Sequence, residues 1–183
     1  AELCIALNRT LDALTLLGIL FDRHVAAGDT AKAIQVYKKM ARLSTPSALV
    51  EQTLRYGEIC EKTSRKEALE AYENALHGFT AAGRRTDALK ALQRIVALEP
   101  SADNLRREAD LAAEIGDLHC AAAVLMKVAA LEAASGHDPS AWYQRAYALD
   151  PTNPEALLAH ARAQLELGRV QEAAAVLQPV ATA

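Results

Sequence analysis

The residues of this sequence with the most evident capacity for chemistry are suited to binding another molecule. Trp142, Tyr143 and Arg145 lie within one short stretch, and an indole ring beside a guanidinium suits the apolar or carboxylate group of a partner. Trp142 occupies the position that Ala91 and Val36 hold in corresponding segments, so its ring could instead fill a gap beside a shorter helix. The sequence leaves both interpretations open.

Five further candidates mix charges of both signs with one apolar side chain. They are predicted to line the first helices of two helical hairpins, and they are Arg106, Arg107, Asp110, Leu158 and Arg162. A partner can reach such positions in stacked hairpins, although mixed charges are also typical of a solvated helix face. We therefore expect these residues, with Trp142, Tyr143 and Arg145, to form either a partner-binding surface or a solvated face.

The sequence lacks the patterns of a catalytic or metal centre. No two histidines are spaced i,i+4, and His119 and Cys120 are adjacent, which places them on different faces of a helix. The segment Ser135-Gly136-His137-Asp138 contains suggestive residue types. Its order indicates a helix end followed by an N-cap, outside the strand-turn-helix context of a nucleophile elbow. We expect no enzyme activity, no bound metal and no cofactor.

Composition and charge argue against nucleic-acid and membrane partners. The 183 residues carry a net charge of -3, which gives no general attraction to phosphates or anionic lipids. The basic pairs Arg84-Arg85 and Arg106-Arg107 lie among acidic residues and are not interleaved with aromatic ones. No apolar run approaches the roughly 20 residues of a membrane-spanning helix. We therefore expect a protein or peptide partner, with no nucleic acid and no membrane.

The cysteines bear on the cellular compartment. Cys4, Cys60 and Cys120 lie far apart in the chain and are odd in number, which argues against a structural disulfide framework. This pattern fits a reducing compartment, and we expect a cytoplasmic location. A periplasmic fragment whose leader has been removed remains an alternative.

One spacing recurs four times and sets the architecture. A glycine is followed five residues later by an alanine, and the alanine is followed by bulky apolar residues four and seven positions on. The copies are Gly28/Ala33/Tyr37/Met40, Gly83/Ala88/Leu92/Ile95, Gly116/Ala121/Leu125/Val128 and Gly168/Ala173/Leu177/Val180. A glycine that ends one helix, followed by an alanine that permits close packing of the next, predicts a helical hairpin. Repetition of the hairpin predicts an all-α solenoid.

Capping signals divide the chain into about ten helices. Thr45, Asp138 and Asn153 each precede a proline and are predicted N-caps, and Ser64 with Glu67 predicts a capping box. No segment shows the alternation of a strand. The predicted helices span about 11–27, 29–43, 46–62, 65–82, 84–98, 101–115, 117–135, 138–149, 153–167 and 169–180.

A longer period groups the helices in threes. Ser47-Ala48 after Pro46 matches Ser101-Ala102 after Pro100, and Ala121-Ala-Ala-Val-Leu125 matches Ala173-Ala-Ala-Val-Leu177. We expect a single solenoid over 1–183 that is a fragment of a longer array, with residues 1–7 ending a first helix. Helix faces exposed at its ends would permit self-association. The expected repeats of this longer period are about 1–45, 46–99, 100–150 and 151–183.

These patterns resemble the tetratricopeptide repeat family, whose unit is a helix-turn-helix of about 34 residues. Counting back from the glycine, one copy carries Leu17, Leu20, Phe21 and His24, and the last carries Leu157, His160, Ala161 and Gln164. Ala161 is the small residue that the family prefers, and Phe21 departs from it. The set of lysines and asparagines with which some members clamp a carboxylate is missing.

The resemblance implies a function without chemistry. It suggests a protein–protein interaction scaffold that binds a peptide or folded partner through a concave surface. The alternative is a regulatory or sensor module of a larger protein that binds a small molecule or signal peptide.

Overall fold

Ten α-helices account for most of the described chain. The computed structural model describes residues 9–181, with only the backbone described at 47 and 179–181, and no strand occurs in that range. The predicted end of a first helix at residues 1–7, which includes Cys4, lies outside the described residues. The all-α prediction and the ten predicted helices are confirmed. The helices are α1 Thr10–Ala26, α2 Thr30–Leu43, α3 Val50–Cys60, α4 Arg65–Ala81, α5 Arg85–Leu98, α6 Ala102–Ile115, α7 Leu118–Ala134, α8 Ser140–Leu149, α9 Pro154–Glu166 and α10 Val170–Ala181.

The recurring spacing forms hairpins as predicted. Gly116 ends α6 in the left-handed region at φ 92°, where a residue with a Cβ would be strained. The N–H groups of Gly116 and Asp117 donate to the carbonyls of Ala113 and Ala112 at 3.0 and 2.9 Å, which closes the helix end. The alanines five residues after the glycines are at most 1% exposed, and they are Ala33, Ala88, Ala121 and Ala173.

The chain divides into two compact units, unit 1 ending at Leu98 and unit 2 beginning at Glu99. In unit 1, helices α1 to α5 each pack against their sequence neighbours, so that α4 contacts both α3 and α5. Aromatic and bulky aliphatic side chains fill the core, among them Phe21, Met40, Tyr72, Phe79, Leu92 and Ile95.

Gly57, which has no side chain, determines how closely α3 packs on α4. A Cβ built on Gly57 would lie 2.7 Å from the Tyr72 ring, far inside van der Waals contact. Tyr72 is fully buried, and its hydroxyl donates to Glu61 Oε1 at 2.6 Å. The ring is therefore held from both ends, and only glycine fits beneath it.

Unit 2 has the same sequential packing with a leaner core. Helix α7 contacts α6 and α8, and α9 contacts α8 and α10. Its most buried side chains are small or aliphatic, among them Leu105, Ala122, Leu125, Val128, Ala146 and Leu157. Close helix packing here depends mainly on alanine.

Three local predictions need correction. Residues 46–48 form a 3-10 turn and α3 begins only at Val50, because the Thr53 hydroxyl donates to the Pro46 carbonyl at 2.9 Å and holds that turn against the helix. Helix α8 begins at Ser140, so Pro139 holds the N-cap position while Asp138 accepts the Ser140 N–H from one residue further out.

The third correction concerns the capping box. Ser64 caps α4 by accepting the Glu67 N–H at 3.3 Å. Glu67 does not return the bond, since the Ser64 N–H donates to the Cys60 carbonyl at 2.8 Å and the Glu67 carboxylate accepts the Tyr56 hydroxyl at 2.5 Å. The Asn153 cap is confirmed, with bonds from the N–H groups of 155 and 156 at 3.0 and 3.1 Å.

Candidate partner-binding surface of unit 2

Trp142 on α8 lies against a charged side chain of α6. The guanidinium carbon of Arg106 is 5.0 Å from the centroid of the Trp142 ring, a cation–π distance. The same guanidinium forms an ion pair with Glu132 at the end of α7. Trp142 is half-buried, so its ring is partly packed and partly presented at the surface.

A second link between α6 and α8 runs through charge. Arg145 donates to Asp110 Oδ1 at 2.5 Å, and about half of each side chain is exposed. Such a pair contributes little stability, on the order of 0.2–1 kcal/mol. Arg107 donates to Asn104 Oδ1 at 3.2 Å along its own helix. The charged residues predicted on α6 are therefore engaged within unit 2, and their ion pairs are open to competition from a partner.

A groove opens between α8 and α9. Its volume is about 260 Å³, and its lining residues are Pro139, Ser140, Tyr143, Ala159, Arg162, Ala163 and Glu166. Tyr143 is half-buried in one wall, while Arg162 and Glu166 are exposed and one helical turn apart on the other. Ala159 and Ala163 leave room for a ligand to approach the α9 backbone.

Hydrogen bonds around the groove determine which groups remain available. The Ser140 hydroxyl donates to Asp138 Oδ1 at 2.6 Å. This bond, with one from the Ser140 N–H, holds the pKa of Asp138 below its usual range and keeps the carboxylate charged at neutral pH. The Ser140 hydroxyl therefore has an internal partner, and the other polar side chains that line the groove are Tyr143, Arg162 and Glu166.

A buried histidine lies on another face of α9. His160 is 7% exposed and stacks on Tyr147 of α8 with ring centroids 5.3 Å apart. Its Nδ1 and the Oε1 of Gln164 lack a hydrogen-bond partner. Burial lowers the pKa of His160, so the ring is neutral at pH 7 and belongs to the packing of α8 on α9.

The structure brings most of the predicted site residues together in three pairs. Arg106 contacts Trp142, Arg145 contacts Asp110, and Tyr143 shares the groove with Arg162. Leu158 is 57% exposed one turn before Arg162, outside the groove lining. The hydrogen bond from Arg107 to Asn104 stays within α6.

Sequence reasoning missed Glu132. Its side chain is 14% exposed and binds both Arg106 and His137, with His137 Nδ1 at 2.8 Å. Arg106 and Glu132 are separated by 26 positions, so no helical spacing connects them. Only the packing of α6 on α7 brings them together.

Between residues 9 and 181, no group of three or more His, Cys, Asp or Glu side chains could hold a metal ion. Over the same range, no helix is both long enough and apolar enough to cross a bilayer. Cys60 and Cys120 are free thiols.

The comparisons with known proteins agree with the family resemblance. Residues 128–183 match the family model of the tetratricopeptide repeat, so the resemblance predicted from the sequence is confirmed over α8, α9 and α10. This stretch includes the groove between α8 and α9. A comparison with curated proteins found no significant match.

Three solved structures align with most of this chain at low sequence identity. MamA is 20% identical, with 91% of this chain and 89% of MamA covered and a TM-score of 0.29. The nearly identical TPR-like repeats of a putative kinesin light chain from Podospora anserina are 21% identical, with 91% and 72% covered and a TM-score of 0.35. A tetratricopeptide repeat protein from Parabacteroides merdae is 18% identical, with 93% and 80% covered and a TM-score of 0.33. At these TM-scores, no functional conclusion passes from these proteins to this chain.

Proposed function

We propose that this chain is a non-catalytic protein–protein interaction scaffold whose unit 2 binds a peptide or a folded partner. The groove between α8 and α9, with Tyr143 in one wall and Arg162 in the other, is the observation that carries the proposal. We give the face that includes this groove the binding role that the sequence predicts for a concave surface. Its ligand is a protein, with no nucleic acid and no membrane.

The lining chemistry favours a polypeptide over a small molecule. Small-molecule sites usually enclose about 300–1,000 Å³ and bury most of the ligand, whereas this groove is open and holds about 260 Å³. An open groove of that size accepts one or two side chains of a longer ligand. Arg162 and Glu166 supply opposite charges one turn apart, which suits the carbonyl and N–H groups of a peptide backbone as well as its charged side chains.

Neighbouring residues extend the surface beyond the groove. Trp142 presents part of its ring beside Arg106, and Leu158 exposes an apolar side chain next to Arg162 on α9. Aromatic and arginine side chains dominate the binding energy of protein interfaces. Trp142, Tyr143 and Arg162 are therefore the expected anchors, and the Arg145–Asp110 pair contributes to selectivity.

A selected peptide tests this assignment. Peptides would be selected by phage display on the immobilised chain, and the tightest would be measured by fluorescence polarisation. Tyr143→Ala and Arg162→Ala should each weaken binding by about tenfold, the effect of losing an anchor residue. Gln144→Ala and Arg169→Ala are matched controls, because both side chains are exposed in unit 2 and lie outside the groove.

The controls decide the result. The control variants should leave the dissociation constant within about twofold of that of the unsubstituted chain, as surface substitutions usually do. Equal effects of groove and control variants, or selected peptides that bind only unit 1, would overturn the assignment of the site.

Self-association is a second part of the proposal. Exposed apolar side chains lie on α1, at Leu11 and Ile19, and after α9, at Leu167 and Val170, each more than half exposed. Apolar surface of this kind promotes contact between copies. Sedimentation velocity over a wide concentration range should reveal a reversible dimer, and Ile19→Lys should abolish it. A monomer at all concentrations would remove this part of the proposal.

A further inference from the structure

A second cavity lies in unit 1, among α2, α3 and α4. Its volume is about 320 Å³, and its lining residues are Tyr37, Lys38, Ala41, Pro46, Tyr56, Glu67, Glu70, Ala71 and Asn74. Aromatic rings, two carboxylates and one ammonium group thus border a single space. None of these residues belongs to the surface proposed in unit 2.

Two stacked tyrosines form the apolar part of the cavity. The Tyr37 and Tyr56 rings lie 4.1 Å apart at 12°, and only 5% and 7% of these residues is exposed. Both hydroxyls are engaged within the protein, Tyr37 with Thr53 at 3.0 Å and Tyr56 with Glu67 at 2.5 Å. Because the hydroxyls have internal partners and the rings stack on each other, the tyrosines offer a ligand only the small exposed part of each fixed ring.

The two carboxylates at the rim differ in how firmly they are held. Glu67 accepts the Tyr56 hydroxyl, which together with Lys38 lowers the pKa of Glu67 and keeps it charged. Glu70 lies one turn further along α4 and is largely exposed. Among the described residues, its ion-pair partner is Lys66, with Nζ at 4.0 Å. Glu67 is therefore a carboxylate held in a fixed position, and the Glu70 side chain can rotate toward a cationic ligand.

We propose that this cavity binds the side chain of an arginine presented by a partner peptide. The planar guanidinium matches two carboxylates and stacks on aromatic rings, whereas the methylene stem packs on apolar surface. Glu67 and Glu70 would receive the guanidinium, and the stem would lie along Tyr37, Ala41 and Ala71. This goes beyond the proposed function, since it adds a separate site in unit 1 that selects a basic residue.

Lys38 distinguishes a cationic ligand from an anionic one. Its ammonium is 3.9 Å from Glu67 Oε2, and the side chain is 56% exposed, so an arginine displaces it at little cost. A cationic ligand competes with Lys38 for the carboxylate. An anionic ligand would instead use Lys38 as its partner.

The binding experiment uses the full chain and a blocked amino acid. Nα-acetyl-L-arginine methylamide would be titrated at low salt while two-dimensional NMR follows the backbone amides, with the citrulline analogue as the neutral isostere. The arginine compound should bind about two- to fivefold more tightly, the scale of a partly exposed ion pair. Its shifts should cluster at residues 37–41 and 67–74. Equal binding of the two compounds, or shifts spread over the chain, would overturn the proposal.

Two pairs of variants complete the test. Glu70→Gln should weaken binding by about threefold or more, whereas Glu73→Gln, on the same helix but outside the cavity lining, should not. Lys38→Gln should tighten binding, and Lys39→Gln should have no effect. Weaker binding by Lys38→Gln, or equal losses for Glu70→Gln and Glu73→Gln, would contradict the proposed site.

Free L-arginine separates a peptide ligand from a free amino acid. A cavity for a side chain of a polypeptide should bind the blocked compound at least as tightly as free arginine, because the guanidinium already occupies Glu67 and Glu70. A preference of about tenfold or more for free arginine would replace the peptide assignment with an amino-acid site.

Discussion

Unit 1 and unit 2 are built from the same kind of hairpin but place their aromatic side chains differently. Unit 1 buries Phe21, Tyr72 and Phe79 to 1% exposure or less, whereas unit 2 leaves Trp142 and Tyr143 half-buried at its surface. A ring can enter the core only where the facing helix supplies room, as glycine at position 57 does. In unit 2 the buried positions are filled largely by alanines, and the Trp142 and Tyr143 rings stay partly exposed at the surface.

Polar groups differ between the units in a parallel way. In unit 1, the buried tyrosine hydroxyls have partners, namely Tyr37 with Thr53, Tyr56 with Glu67 and Tyr72 with Glu61. Among the described side chains, the buried polar atoms without a hydrogen bond all lie in unit 2, and they are Arg106 Nε, His160 Nδ1 and Gln164 Oε1. An unpaired buried group weakens a fold, so unit 2 should respond more to pH and to a ligand.

The largest effect expected from this contrast is on stability. Tyr72→Ala should lower the free energy of unfolding by about 3–5 kcal/mol, because it empties a core position. Trp142→Ala should lower it by only about 1 kcal/mol, since that ring is half-exposed. Urea denaturation followed by far-UV circular dichroism measures both.

Tyr72→Phe is the control for the first variant. It keeps the ring and removes the bond to Glu61, with an expected loss of about 1 kcal/mol. Hydrogen exchange should place the Tyr72→Ala damage in α3 to α5. Equal losses for Tyr72→Ala and Trp142→Ala would mean that Trp142 is a core residue and that the two units do not differ as described.

A smaller effect tests the space beneath Tyr72. Gly57→Ala should destabilise the protein by about 1–3 kcal/mol, because the added methyl group meets the ring. Gly18→Ala is the matched control in α1, where a Cβ would have its nearest contact at 3.9 Å. Without a clash, alanine in a helix interior should stabilise by about 0.5–1 kcal/mol. The same measurement should therefore give opposite signs, and a neutral Gly57→Ala would show that α4 can shift freely.

The smallest effect concerns pH and belongs to unit 2. The folded pKa of His160 lies below its ordinary value of 6.5, because burial disfavours the charged ring and Glu172 only partly opposes this. The unfolded chain therefore binds the extra proton first. The contribution of neutral His160 to the free energy of unfolding is therefore present above pH 6.5 and decreases as the pH falls below that value.

Thermal unfolding from neutral to mildly acidic pH measures this loss. His160→Gln should flatten the acid side of the profile, whereas His77→Gln, at an exposed position in unit 1, should leave it unchanged. A profile that His160→Gln does not alter would assign the acid sensitivity to other groups.

The helices and their order were predictable because the signals are local. A glycine with φ near 70–90°, an N-cap such as Asn153 and a small residue five positions after the glycine act within one turn of the chain. Each predicted helix coincides with an observed one to within a few residues. The start of α3 differs because Thr53 holds Pro46 through a bond that depends on the helix already being packed.

The candidate sites were only partly predictable. Trp142 could be selected because its ring is unusual for its helix position, Tyr143 because it lies beside Trp142, and Arg162 because it was predicted to line a first helix. Their contacts in the folded chain could not be predicted. The same limit explains Glu67, whose spacing from Ser64 suggests a capping box while its carboxylate serves Tyr56 on another helix. The cavity of unit 1 gave no signal in the sequence, since its lining comes from α2, α3, α4 and the loop after α2.

The sequence by itself determined the all-α hairpin architecture, because helix ends and close-packing alanines are encoded within a few residues of each other. Tertiary structure decided which rings are buried, which carboxylate binds which cation, and where a groove or a cavity remains. Those outcomes depend on the space and charge that one helix leaves for another. Gly57 beneath Tyr72 and Glu132 beside Arg106 acquire their roles only when one helix packs on the next.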